Sequence, residues 1–184
     1  MKKINLRGLI FLALCCDLGL FTKRLIAPAA NFLTDSLHIP GGVTTGFSLM
    51  FLVVAAVLVP YFGVGTLMGL VQSVIALSMG MVGSMGVLAP VGYILPGLVI
   101  DCVLWTARKA AMEESTSIVI ANAFASASAS LTANVLVFRL SGIPLLLYLS
   151  VALSTGAICG LLGGSLARRL RPVICIKNGK EAVS

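Results

Sequence analysis

The sequence predicts an all-α integral membrane protein, a bundle of six transmembrane helices with both termini on the cytoplasmic side. Three observations carry that expectation. Of 184 residues, 59% are hydrophobic and only 10% charged, with a mean hydropathy of +1.09, whereas a soluble domain carries roughly 25% charged residues. Turn residues and charges divide the chain into six apolar segments. The basic residues fall unevenly between the connections. A bilayer core about 30 Å thick takes about 20 apolar residues per crossing, so the length supplies about six crossings and no separate soluble domain. Residues 1–172 are read as one membrane domain and 173–184 as a basic cytoplasmic tail.

The first helix is placed at residues 7–25. Lys2, Lys3 and Arg7 before an apolar run look like a secretory signal, but Asp17 interrupts the run and no small-x-small cleavage site precedes Lys23-Arg24, so the segment reads as a retained helix. Residues 26–45 carry Pro28, Asn31, Asp35, His38, Pro40, Gly41 and Gly42. They are too polar to face lipid and read as a long loop. The remaining helices are expected at 46–59, starting as early as Gly42, then at 63–79, 87–105, 117–138 and 143–167.

Orientation follows from the basic residues. With a cytoplasmic N-terminus, the inside holds Lys2, Lys3, Arg7, Arg108, Lys109, Arg168, Arg169, Arg171, Lys177 and Lys180, and the outside only Lys23, Arg24 and Arg139. An even number of crossings and the charge bias are independent readings, and they agree. The net charge of +7 is therefore attributed to the membrane surface rather than to nucleic acid.

The later helices are rich in small residues. Ala152, Gly156, Gly160 and Gly164 recur every four residues, and Ala123, Ala125, Ala127 and Ala129 alternate with Ser126, Ser128 and Ser130. Such faces allow close backbone approach. Packing within the bundle is the plainer use of the glycine ladder, and docking to another membrane protein is the alternative.

Charges at membrane depth cost about 2.5 to 3.5 kcal/mol on the lenient scales, so each needs a partner, a cavity or a purpose. Asp101 has a bland explanation in an ion pair with Arg108 or Lys109, one to two turns along the same helix. Asp17 is the more unexpected, because Lys23 and Arg24 lie about 9 Å of helix rise away. Protonation, a partner from another helix or a bound cation would each resolve it. Gln72 and Asn134 are neutral hydrogen-bonding groups that serve either helix packing or a ligand. Tyr93, Phe138 and Tyr148 lie near outer helix ends, where aromatic residues collect. With Asn31, Asp35, His38, Thr44, Thr45 and Arg139 they place most recognition chemistry on the outward side.

Five cysteines without a CxxC spacing and a single histidine offer neither a disulfide framework nor a metal site. No phosphate loop, HExxH or GxSxG occurs. An enzyme, or a protein with a resident cofactor or metal, is therefore not expected.

The stretch Ile39-Pro40-Gly41-Gly42, the turn Gly63-Val64-Gly65-Thr66-Leu67-Met68-Gly69, and Tyr93-Ile94-Leu95-Pro96-Gly97-Leu98-Val99-Ile100-Asp101 resemble the connections of the substrate-binding S components of energy-coupling factor (ECF) transporters. The resemblance extends over nearly the whole chain. Asp101, Arg108, the Ser/Ala-rich run and the stretch from Asn134 to Gly142 look most like the members that take up thiamine precursors such as hydroxymethylpyrimidine.

The resemblance implies a multi-pass protein of a bacterial-type cell membrane. It would capture a vitamin-like micronutrient from outside and hand it over while docked to a transmembrane coupling subunit and two cytoplasmic ATPase subunits. It also implies a pocket in the outer halves of the later helices, with Gln72, Tyr93, Asn134, Arg139 and Tyr148 as ligand contacts and Asp35 and His38 in a lid. Asp17, Asp101, Gly156, Gly160 and Gly164 take structural or coupling roles. The family often docks its coupling subunit through an Ala-x-x-x-Ala pattern on the first helix. Here that helix offers only Gly8, Ala13 and Gly19, so Cys16 or glycines of other helices would have to substitute. Two other readings stand beside this one: a scaffold or regulatory membrane subunit without a small ligand, and a small stand-alone carrier that oligomerises through the glycine ladder.

Overall fold

The computed structural model describes residues 6–37, 43–59, 61–80, 86, 88–136, 138–139 and 141–175. Among them the regular structure is six α-helices: α1 (Leu6–Leu37), α2 (Val43–Leu58), α3 (Val64–Ser78), α4 (Ala89–Lys109), α5 (Glu114–Leu136) and α6 (Ile143–Cys175). Three of these, α4, α5 and α6, are long and apolar enough to cross a membrane, while α2 and α3 are shorter apolar helices.

The expected loop at 26–45 is corrected. Helix α1 continues through Pro28 to Leu37, because Ala27, Ala29, Ala30 and Leu33 favour helix and polarity alone does not end one. Proline removes a single backbone donor from the ladder. The residues that do break helices, Pro40, Gly41 and Gly42, are crowded just before α2. Helix α6 likewise runs past the expected end at 167 to Cys175, so part of the proposed tail belongs to the bundle element.

Helix α2 sits at the centre and touches all five others. Its run Leu52, Val53, Val54, Ala55 and Ala56 is at most 1% exposed, as befits a helix that is apolar on every side. The bundle's outer surface is a belt of aliphatic side chains, including Leu9, Leu14, Leu67, Leu146, Ile158 and Leu161. Polar groups such as Gln72, Asp101, Asn122, Ser126 and Asn134 are buried inside. Apolar outside and polar inside is the arrangement that lipid, rather than water, demands.

Glycines set how closely the helices approach. A Cβ on Gly156 would stand 2.8 Å from the Ser126 Cβ and 2.9 Å from the Ala123 Cα, and one on Gly160 would stand 2.7 Å from the Val119 Cα. At Gly156 and Gly160 the ladder of α6 thus packs against α5. Gly164 is looser, with Ser115 as its nearest neighbour at 3.9 Å. Asn122, fully buried, ties three helices together by donating through Nδ2 to the carbonyls of Gly46 (3.1 Å) and Gly156 (2.8 Å).

Helix α4 secures the corner between α2 and α3. Gly63 caps α3 at φ 92° without a side-chain bond, so the first amides of that helix need an acceptor from elsewhere. Asp101 provides it: Gly65 N donates to Oδ1 at 2.9 Å, and Thr66 N and Oγ1 donate to Oδ2 at 2.8 and 2.6 Å. Two turns on, the Arg108 guanidinium donates to the Ala56 carbonyl at 3.2 Å. That carbonyl lies four residues before Pro60, which has no N–H to offer it. The expected ion pair of Asp101 with Arg108 or Lys109 is therefore not formed. Asp101 serves the positive end of one helix and Arg108 the negative end of another, while the Lys109 ammonium rests 3.6 Å above the Trp105 ring.

Candidate functional site

The site is a cavity of about 100 Å³ near one end of the bundle, lined by Lys23 of α1, Thr45, Ser48 and Leu49 of α2, Gln72 of α3, Gly92 and Tyr93 of α4, and Ala129 and Ala133 of α5. Five helices contribute, and each does so for a physical reason. The Ser/Ala-rich α5 supplies volume, since alanine ends at Cβ and leaves space where a larger residue would fill it. Helix α1 comes in close because residue 19 is glycine: a Cβ there would stand 2.9 Å from Gln72 Nε2 and 3.2 Å from the Ser48 carbonyl.

The wall between α1, α2 and α3 is held by hydrogen bonds. Ser48 Oγ donates to the Gly19 carbonyl at 2.7 Å, and Gln72 Nε2 donates to the Cys16 carbonyl at 3.1 Å. The Cys16 thiol donates in turn to the Met68 carbonyl at 3.5 Å. Gln72 is 2% exposed. Side chains held this way present fixed polar atoms at the cavity.

One turn along α1 from Gly19, the half-buried Lys23 ammonium donates to Tyr93 Oη at 3.4 Å and lies 4.5 Å from the centroid of the same ring, a cation–π placement. Lys23 is expected in the last turn of the first helix, placed at 7–25, near its outer end. With α1 extended to Leu37 it is an interior residue of that helix, about 26 Å of rise from Leu6.

Of the expected ligand contacts, the structure brings Gln72 and Tyr93 together at the cavity. Asn134 is buried but turned along its own helix, its Nδ2 donating to Ser130 Oγ at 3.1 Å. Arg139 is exposed in the connection between α5 and α6, with left-handed backbone at φ 49°, and Tyr148 is half-buried on α6. None of these three lines the cavity. Asp35 falls in the last turn of α1 with its side chain outside the described set, and His38 lies outside the described residues. The backbone at Asp35 is helical, so the expected loop lid does not include it.

Lys23 and Ser48 are the polar lining residues that sequence reasoning missed. For Lys23 a signal existed, since the alanine-rich residues after it favour continued helix and so enclose the cation. Asp17 stands on the outer face of α1 beside the exposed Leu14, Leu18 and Phe21. It has no hydrogen bond or ion pair with another described residue. No group of three or more His, Cys, Asp or Glu side chains placed to hold a metal ion occurs among the described residues.

Chemically, one ammonium, two hydroxyls, a carboxamide and a phenol around an apolar floor suit the binding of a small polar molecule. The fold and the site together define a helical, membrane-embedded protein with a small polar cavity between its helices. Comparison with known protein families, curated proteins and solved structures finds no match.

Proposed function

We propose that the protein is the solute-binding membrane subunit of an ATP-driven importer, of the kind the ECF S components represent. The cavity where Lys23, Gln72 and Tyr93 meet is the observation that carries this reading. In this reading all six helices span the bilayer with both termini inside. The cavity then opens near the outer face, and the opposite end, with Arg108, Lys109, Arg168, Arg169 and Arg171, faces the cytoplasm as the distribution of basic residues favours. A vitamin-like micronutrient, a thiamine-related pyrimidine first among them, enters from outside. A transmembrane coupling subunit and two cytoplasmic ATPases supply the work of release.

The stand-alone oligomer built on the glycine ladder loses support, because α5 already occupies that face. Native mass spectrometry of the chain purified from a rich-medium membrane extract, followed by thermal shift against vitamins and their precursors, tests the proposal. One co-purified small molecule, or one compound giving strong stabilisation as tight binding requires, is expected. An empty protein with no responder, retained with membrane partners, would favour a scaffold subunit instead.

A further inference from the structure

We propose that the cavity selects a small organic anion, whose acidic group sits against the Lys23 ammonium. The inference deepens the reading of the cavity as a solute site and rests on it. It starts from a charge without a counter-ion. Lys23 is half-buried, and its contacts are the ring and the hydroxyl of Tyr93, both neutral.

Each carboxylate among the described residues is committed or distant. Asp101 receives the first amides of α3, Glu114 pairs with Arg171, and Glu113 is exposed in the connection between α4 and α5. Asp17 lies on the exposed face of α1, about 9 Å of rise before Lys23. The Asp35 backbone stands about 18 Å further along the same helix.

A cation set among apolar helices is costly unless something negative joins it, and the space beside this one is a cavity rather than a protein side chain. The neighbouring groups fit the same occupant. Thr45 can donate a hydroxyl hydrogen. The first turns of α2 and α4 reach the cavity through Thr45 and Gly92, adding partial positive charge against the single C-terminal end of α5. Leu49, Ala129 and Ala133 accept an apolar body behind the acidic group. The lining disfavours cationic thiamine and a neutral pyrimidine, so of the thiamine-related pyrimidines proposed above only a phosphate ester fits, and the micronutrient narrows to one that carries an acidic group.

The test uses the full chain in mild detergent and its Lys23→Gln and Lys23→Arg variants. Thermal shift is read with benzoate and nicotinate, with their neutral counterparts benzamide and nicotinamide, with inorganic phosphate, and with thiamine. Any small molecule released from the denatured protein is identified by mass. The acids, or a carried-over anion, should bind the wild type and Lys23→Arg but at least tenfold more weakly to Lys23→Gln, while the amides and thiamine do not bind. A response to phosphate alone supports the inference and assigns the acidic group to a phosphate ester.

A neutral or cationic molecule that binds, or an acid that binds Lys23→Gln as well as the wild type, overturns the anion while leaving solute binding intact. No bound molecule and no responder overturns both.

Discussion

Replacing Asp101 tests whether one carboxylate holds the start of a neighbouring helix. Its two oxygens accept three hydrogen bonds, from Gly65 N, Thr66 N and Thr66 Oγ1 at 2.6 to 2.9 Å, in a site only 5% exposed. Asp101→Ala strands those donors away from water. A buried unsatisfied group costs about 1 to 3 kcal/mol, so after relaxation the loss should come to about 3 to 6 kcal/mol, a large part of the stability of an ordinary domain. Asp101→Asn keeps one accepting oxygen but turns an NH₂ group toward a donor, and should cost about 1 to 3 kcal/mol. Thr66→Val, which removes one hydroxyl bond, should cost about 1 kcal/mol.

The assay is reversible unfolding in mixed detergent–SDS micelles. Asp101→Ala and Asp101→Asn both within about 0.5 kcal/mol of the wild type would refute the capping argument. A double mutant with Arg108→Ala separates capping from an ion pair. Asp101 and Arg108 serve different helices, about 10 Å of rise apart, so their effects should add, whereas an ion pair would leave a coupling above about 0.5 kcal/mol.

The glycine ladder should grade by clearance. Gly156→Ala and Gly160→Ala push a methyl against the α5 backbone and should each cost about 1 to 3 kcal/mol in the same assay, while Gly164→Ala should be neutral or stabilising; equal effects at all three would mean that α5 does not fill the ladder. Asn122→Leu strips the donor from two carbonyls on different helices and should cost about 1 to 2 kcal/mol by the scale of interhelical bonds in membranes, and a wild-type melting curve would count against that bridge. For the topology, single cysteines introduced by Ser141→Cys and Met112→Cys into a cysteine-free background should differ: a membrane-impermeant maleimide on intact cells should label position 141 and spare position 112. The reverse pattern would invert the proposed orientation.

Most helix positions were legible because apolar runs and glycine–proline breaks are local signals. The third helix, expected at 63–79, is found at Val64–Ser78, and the fifth, expected at 117–138, at Glu114–Leu136. The first helix exceeds its expected bounds, since the alanine-rich stretch around Pro28 outweighs that proline and a few polar residues. In the site, Gln72 and Tyr93 were legible as polar groups in apolar surroundings, a pattern that lipid makes expensive. Asn134 showed the same pattern yet points along its own helix to Ser130, because sequence shows depth but not the direction in which a side chain turns.

Composition and the length of the apolar runs together pointed to a membrane protein built of helices, since 59% hydrophobic and 10% charged residues make lipid the fitting solvent for its surface. The small-residue spacing of the sixth helix likewise announced a close helix contact. Tertiary structure decided which contact, seating Gly156 and Gly160 on α5. It also decided that Asp101 and Arg108, neighbours on one helix face, reach apart to the ends of two other helices. Only the packing of five helices set Lys23 beside Tyr93, Gln72 and an open space. Partners at such separations in sequence are chosen by how helix faces rotate against one another, and that rotation follows from the summed packing of the whole bundle rather than from any local segment.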